Sequence, residues 1–192
     1  MIRYLEKQNL LILETERTSY WIGLAYPAPV CLHWGRKIAP EDADMFEPLG
    51  GHSSFDTELW RERMEYPAFD GRTFENVSLK ADVPLNLRTK NVRVQGQQAE
   101  IMLADEVSAM EVRLIYRVFE DCDVIEKHAR LTANAPIRLT RMDSGACLLP
   151  HEAKPWTAHS SARGRENSGG ARPSWKKGNC GFNPCAACPA RI

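Results

Sequence analysis

The chain has 192 residues, room for one globular domain with an extension, which excludes a large multidomain enzyme. Its 25 basic residues cancel its 25 acidic ones, and 43% hydrophobic with 26% charged residues is the balance of an ordinary soluble domain, so composition argues for neither nucleic acid nor a membrane as partner. The apolar run Leu10-Leu11-Ile12-Leu13 falls far short of a secretory signal or of the ~20 residues that a membrane helix needs, and a cytoplasmic location is expected.

In chain order, runs rich in β-branched and aromatic residues cover 10–15, 19–25 and 30–34, separated by Glu16-Arg17-Thr18 and by Tyr26-Pro27-Ala28-Pro29. Between 39 and 74 the strand pattern lapses into Gly50-Gly51-His52-Ser53-Ser54 and a charged stretch, 58–65, with room for one or two helical turns. A connection of this length is uncommon in a compact domain unless it serves a function. Strands resume at 99–103. The clearest signal in the chain follows, with Met110, Val112, Leu114, Tyr116 and Val118 alternating with Glu111, Arg113 and Arg117, the mark of a strand buried on one face. Two more runs, 124–131 and 137–142, are set off by Glu120-Asp121-Cys122-Asp123 and Ala133-Asn134-Ala135-Pro136. Breaks of hairpin length between short strands predict an all-β, antiparallel β-sandwich. His33 and His128 fall inside strands and are expected to be structural. Cys31, Cys122 and Cys147 read as small buried residues in a reducing compartment.

After residue 158 the character changes. Arg163, Arg165, Arg172, Lys176, Lys177 and Arg191 face one acid, Glu166, and the stretch holds five of the 12 glycines and three of the six cysteines but no Val or Leu. Such a segment buries too little apolar surface to offset its ordering entropy, so 1–158 is expected to be the domain and 159–192 a disordered tail.

Signatures of chemistry are sparse. There is no phosphate-cradling loop, no G-x-S-x-G elbow and no H-E-x-x-H, since His151-Glu152 is followed by Ala153-Lys154-Pro155. No pair of carboxylates stands out for glycosidic or other two-carboxylate work. Cys180, Cys185 and Cys188 have metal-like spacing and are candidate zinc ligands, but they supply three thiolates where a structural site takes four ligands. Scattered thiols in the tail are the alternative, and no cofactor is expected.

Several segments together resemble the N-terminal β-sandwich domain of bacterial glycoside hydrolase family 36 α-galactosidases. They are Asp105-Glu106-Val107-Ser108-Ala109-Met110-Glu111-Val112, Tyr116-Arg117-Val118-Phe119-Glu120-Asp121-Cys122-Asp123-Val124-Ile125 and Leu139-Thr140-Arg141, where the family pattern is roughly D-E-V-S-G-L-E-V, Y-x-V-F-E-D-x-D-V-I and L-x-R. Thr18-Ser19-Tyr20, His33-Trp34-Gly35-Arg36-Lys37-Ile38 and Glu65-Tyr66-Pro67 resemble the family's T-S-Y, Y-W-G-K-R-I and E-Y-P segments. The resemblance runs from about Leu10 to Pro150 and implies a domain that packs on a (β/α)8 barrel and oligomerises in the full-length enzyme, the barrel carrying both catalytic aspartates. Lys80-Ala81-Asp82 lacks the context of the family's nucleophile motif. The implied chain is therefore non-catalytic, without α-galactosidase activity of its own.

In tetrameric members an aspartate before E-Y-P and an arginine after it border a neighbour's galactose pocket. The corresponding candidates are Asp56 and Arg72, which would contact α-galactoside sugars weakly or instead pair with each other across an exposed loop. Two rivals stand beside the truncated-enzyme reading: a free-standing carbohydrate-binding or subunit-interaction module, and a small zinc-binding interaction protein. Surface clustering of Trp60, Tyr66 and Phe69 would favour the sugar-binding module, and an exposed apolar face would favour the truncated enzyme. The tail is expected to be an out-of-frame translation. One codon choice for 161–167, read from its third base, encodes Gly-Thr-Trp-Ala-Arg-Glu, which resembles the G-x-W-A-R-E that the family carries after its leucine-proline segment.

Overall fold

The computed structural model describes residues 1–46, 59–73, 77–148 and 179–181. Strands β1 (Ile2–Leu5), β2 (Leu10–Glu14), β3 (Thr18–Gly23) and β4 (Val30–Arg36) form an antiparallel sheet in chain order. A single helical turn, α1 (Leu59–Glu62), follows, and then the short strand β5 (Leu79–Ala81). The second four-stranded sheet is also a meander, of β6 (Arg88–Gln95), β7 (Gln98–Asp105), β8 (Met110–Phe119) and β9 (Val124–Ala133). Strand β10 (Leu139–Met142) returns to pair with β5, and β11 (Ala146–Leu148) pairs with β12 (Asn179–Gly181). Among the described residues every pairing between these strands is antiparallel.

The expected β-sandwich is what forms. Leu11, Leu13, Tyr20 and Ile22 from the first sheet share one buried core with Ala99, Ile101, Leu103, Val112, Leu114 and Tyr116 from the second. The alternation in β8 lies in register with its neighbours, Val112 opposite Leu103 and Leu131, and Leu114 opposite Ile101 and Ala129, so one face of the second sheet is largely apolar, with Lys127 opposite Tyr116 as a charged member. Its other face is charged. Arg113 lies 3.7 Å from both Glu100 and Glu111, and Arg117 lies 3.9 Å from Glu126.

The inner strands of the first sheet, β2 and β3, are buried on both sides. Leu10, Ile12 and Trp21 point away from the sandwich core into a second cluster closed by Leu5, Leu32, Ile38 and Phe46. Ala28, Val30 and Trp60 form a third, with Tyr26 and Met64. This is why β2 is buried at all five positions, without the alternation of a one-faced strand.

Five strands lie outside the runs read from the sequence: β1, β5, β6, β11 and β12. Strand β6 is mostly exposed and polar, and its pairing with β7 is set by the two-residue turn at Gly96-Gln97, where Gly96 takes the left-handed φ of +60° that such turns demand. The expectation that Cys122 is buried is corrected: it sits in the 3-10 turn Glu120–Cys122, which juts from the end of β8, and is exposed. Cys31 is buried, as expected. His33 packs its ring against Trp21 and Phe46, with Nε2 2.9 Å from the carbonyl of Arg36. Of the stretch 159–192 only Asn179–Gly181 is described, as the strand that pairs with β11. No helix among the described residues is long and apolar enough to cross a membrane.

Candidate functional site

Two polar constellations meet between α1 and β5, one closed and one open. The closed one is centred on Glu65, whose side chain is fully buried. Its carboxylate accepts hydrogen bonds from the hydroxyls of Tyr20 at 2.6 Å and Tyr116 at 2.7 Å, and from the Lys127 ammonium at 2.5 Å. Lys127 also donates to the carbonyl of Ala146 at 2.7 Å and sits 5.9 and 5.8 Å from the rings of Tyr20 and Tyr116. Burial, and then the carboxylate beside them, push both tyrosine hydroxyls well above their ordinary pKa. A buried charge persists when it is paired and its remaining valences are filled, and both conditions are met here. The backbone of the same segment is tied as well, with Glu65 N–H on Pro29 and Ala146 N–H on the Glu65 carbonyl.

The two tyrosine contacts join residues from three of the segments that carry the family resemblance: Tyr20 of T-S-Y, Glu65 of E-Y-P and Tyr116 of Y-x-V-F-E-D. A second convergence lies at the end of the sheets, where the Thr15 hydroxyl donates to Asp123 and Thr18 lies 3.4 Å from the same carboxylate. A third is in the β7–β8 turn, where Asp105 accepts from the amides of Val107 at 2.9 Å and Asn86 at 3.1 Å. These motif residues specify the fold. Their polar groups are consumed by one another.

The open constellation is a cleft of about 210 Å³ between α1, the 68–72 segment and the approach to β6. Its floor is apolar, with Trp60, Tyr66 and Leu85 buried, and its polar groups are Arg61, Asp70, Arg72, Asn86 and Arg88. Asp70 organises one wall. It receives the Arg61 guanidinium at 2.6 Å and the amides of Arg72 at 2.9 Å and Thr73 at 2.7 Å. Gly71 between them has a φ of +85°, which a residue with a side chain adopts only at a cost. Burial works to raise the Asp70 carboxyl, but the two amides and then Arg61 overcome it and hold its pKa below the ordinary carboxylate value. Arg61 in turn lies 4.7 Å over the Trp60 ring.

Of the residues singled out from the sequence, Arg72 lines this cleft, exposed at its rim. Asp56 lies outside the described residues, and the ion pair that the structure shows beside Arg72 is Arg61–Asp70. Of the candidate zinc ligands, Cys180 lies in β12 opposite Cys147, while Cys185 and Cys188 lie outside the described residues. No three His, Cys, Asp or Glu side chains among the described residues come together as metal ligands would. Arg61, Asp70, Asn86 and Arg88 went unread, although Asp70-Gly71 is a turn signal that marks a capped loop.

The arrangement suits hydrogen bonding to a small polar ligand better than bond cleavage. Retaining glycoside hydrolysis takes two carboxyl groups ~5–5.5 Å apart across the scissile bond. Among the lining residues the cleft has one carboxylate, Asp70, and it is already bound to a guanidinium and two amides. Glu65 is sealed in the core. Trp60 and Tyr66 are buried, so the aromatic surface cluster that would mark a sugar-stacking module does not form.

A family model described as the glycosyl hydrolase family 36 N-terminal domain matches residues 27–166. No curated protein sequence matches the chain. Among solved structures, the galactosidase domain of an α-galactosidase–sucrose kinase is 21% identical with a TM-score of 0.63, over 76% of this chain and 25% of that one. The family 36 α-galactosidase AgaB of Geobacillus stearothermophilus is 20% identical at a TM-score of 0.60, over 76% and 24%. The α-galactosidase of Lactobacillus brevis is 17% identical at 0.62, over 77% and 25%. The chain thus shares their fold and spans about a quarter of their length.

Proposed function

This chain belongs to the glycosyl hydrolase family 36 N-terminal domains, and from that membership we propose that it is the non-catalytic β-sandwich of an α-galactosidase, which hydrolyses nothing by itself and lends polar sugar contacts at its cleft. The observation that carries the reading is the cleft itself. Its one lining carboxylate is spent on positioning, while Arg72 is presented at the rim by a turn that Asp70 and Gly71 fix. Arg72 would donate to sugar hydroxyls and take no covalent part. Asp56 is proposed as its acceptor counterpart from the resemblance alone. In the full-length enzyme the domain would pack on the catalytic barrel, and the stretch from His159 is proposed to be out of frame, which the nucleotide sequence downstream of codon 158 in its three frames decides.

The cleft is tested by titrating galactose and raffinose while following backbone amide shifts. Shifts clustered at Arg61, Asp70, Arg72 and Asn86, lost in Arg72→Ala with the melting temperature unchanged, are expected. Shifts confined to the far end of the sandwich would refute the assignment.

A further inference from the structure

The cleft between α1, the 68–72 segment and the approach to β6 carries more positive charge than its carboxylate balances. Its lining residues include three guanidiniums, Arg61, Arg72 and Arg88, and one carboxylate, Asp70. Asp70 answers only the first of them, at 2.6 Å. Among the described residues no carboxylate forms an ion pair with Arg72 or Arg88. Glu106, whose charge Arg88 feels, is itself bonded to Lys90.

The chain holds these groups on walls that are fixed to one another. Leu85 N–H donates to the Phe69 carbonyl at 2.8 Å and Thr89 N–H to the Pro27 carbonyl at 2.9 Å, so the segment that brings Arg88 is bonded to both neighbouring walls. Burial alternates along it. Leu85 and Leu87 face the core, which turns Asn86 and Arg88 outward together into the cleft. Across from them, Asp70 fixes the turn that presents Arg72 by accepting from its amide at 2.9 Å, and Arg61 is clamped between Asp70 and the Trp60 ring. A site built in advance loses little of its binding free energy to ordering.

The cleft volume of about 210 Å³ falls below the ~300–1,000 Å³ of pockets for drug-sized ligands, so it suits a small group. A phosphoryl group fits both the charge and the donors. It carries about −1.5 to −2 near pH 7, and its oxygens accept the parallel N–H groups of a guanidinium. The Asn86 amide adds a neutral donor on the same side as Arg88. A neutral sugar ring would use the hydrogen bonds and leave the excess charge unanswered.

We propose that this cleft binds a phosphoryl group between Arg72 and Arg88, either as free phosphate or as the phosphate of a monosaccharide. The inference rests on the cleft reading given above and narrows its ligand from sugars in general to phosphorylated ones.

The test is titration of the full chain, at constant ionic strength, with inorganic phosphate, galactose 1-phosphate and galactose, following backbone amide shifts. Both phosphates are expected to shift the amides of Arg61, Arg72, Asn86 and Arg88. Tighter binding of galactose 1-phosphate identifies the sugar phosphate as the ligand, and equal binding identifies phosphate alone. Arg88→Gln is expected to weaken both phosphates about tenfold at an unchanged melting temperature, and Arg88→Lys, which keeps the charge, to weaken them less. Phosphate affinity indifferent to Arg88→Gln overturns the proposal. Galactose shifting these amides while neither phosphate does overturns it too and leaves the sugar contacts standing, whereas no shift from any of the three overturns both.

Discussion

The two large sheets of this sandwich solve burial differently. The second sheet is the economical one, with alternating side chains that give it a core face and a face of ion pairs in water. The first is enclosed on both faces at its inner strands, inwardly by the shared core and outwardly by residues such as Ile38 and Phe46 from the segment after β4. The first sheet therefore depends on the irregular chain that wraps it. The second depends chiefly on its own register. Between them sits Glu65, which reaches Tyr20 of the first sheet and Tyr116 and Lys127 of the second, so the sandwich is tied across its middle by charge as well as by apolar contact.

The strongest way to break this picture is to remove the tie. Glu65→Ala strands the Lys127 ammonium in the core with two tyrosine hydroxyls unpartnered, and is expected to cost ~3–5 kcal/mol in urea unfolding. The paired change Glu65→Leu with Lys127→Met should recover much of that loss, because it removes both charges together. Next come the faces themselves. Ile12→Ala, on the outward face of the first sheet, and Leu114→Ala, in the shared core, should each cost ~2–5 kcal/mol, whereas Arg113→Ala on the outward face of the second should cost less than ~0.5 kcal/mol. Comparable losses at Ile12 and Arg113 would erase the distinction between the sheets.

The tie also has a pH signature. Both tyrosine pKa values are raised in the folded state, so their contribution to stability is present in full below the unfolded value of ~10 and is lost as pH rises toward the folded values. The tyrosinate absorbance that Tyr20 and Tyr116 contribute should accordingly appear together with unfolding, and Tyr116→Phe should flatten the alkaline loss. A modest effect of the opposite sign concerns the β7–β8 turn, where the family pattern has glycine and this chain has Ala109 with a φ of +49°. An L-residue pays about 1 kcal/mol there, so Ala109→Gly should raise stability by roughly that amount.

Much of the fold was legible because a one-faced strand writes its burial as alternation, as β8 does. Strand β2 was legible by its apolar content, but not the reason for its continuity, since that depends on distant residues covering its second face. Strand β6 was not legible at all. Its residues are exposed and polar, and only Gly96 betrays the hairpin. The site was legible in one residue, Arg72. The partners that shape the cleft, Arg61 and Asp70, are nine positions apart in a stretch with no periodicity, and only the folded chain brings the guanidinium to the carboxylate. The family motifs carry the resemblance, and the structure spends their Tyr20, Glu65, Tyr116, Asp105 and Asp123 on holding the sandwich together.

The central claim, a family 36 N-terminal domain that binds without cleaving, is tested most directly by incubating the purified full-length chain with a chromogenic α-galactoside. The account predicts no turnover above buffer, in the wild type and in Asp70→Asn alike. Turnover that survives rigorous purification and disappears in Asp70→Asn, with the fold intact, would contradict it.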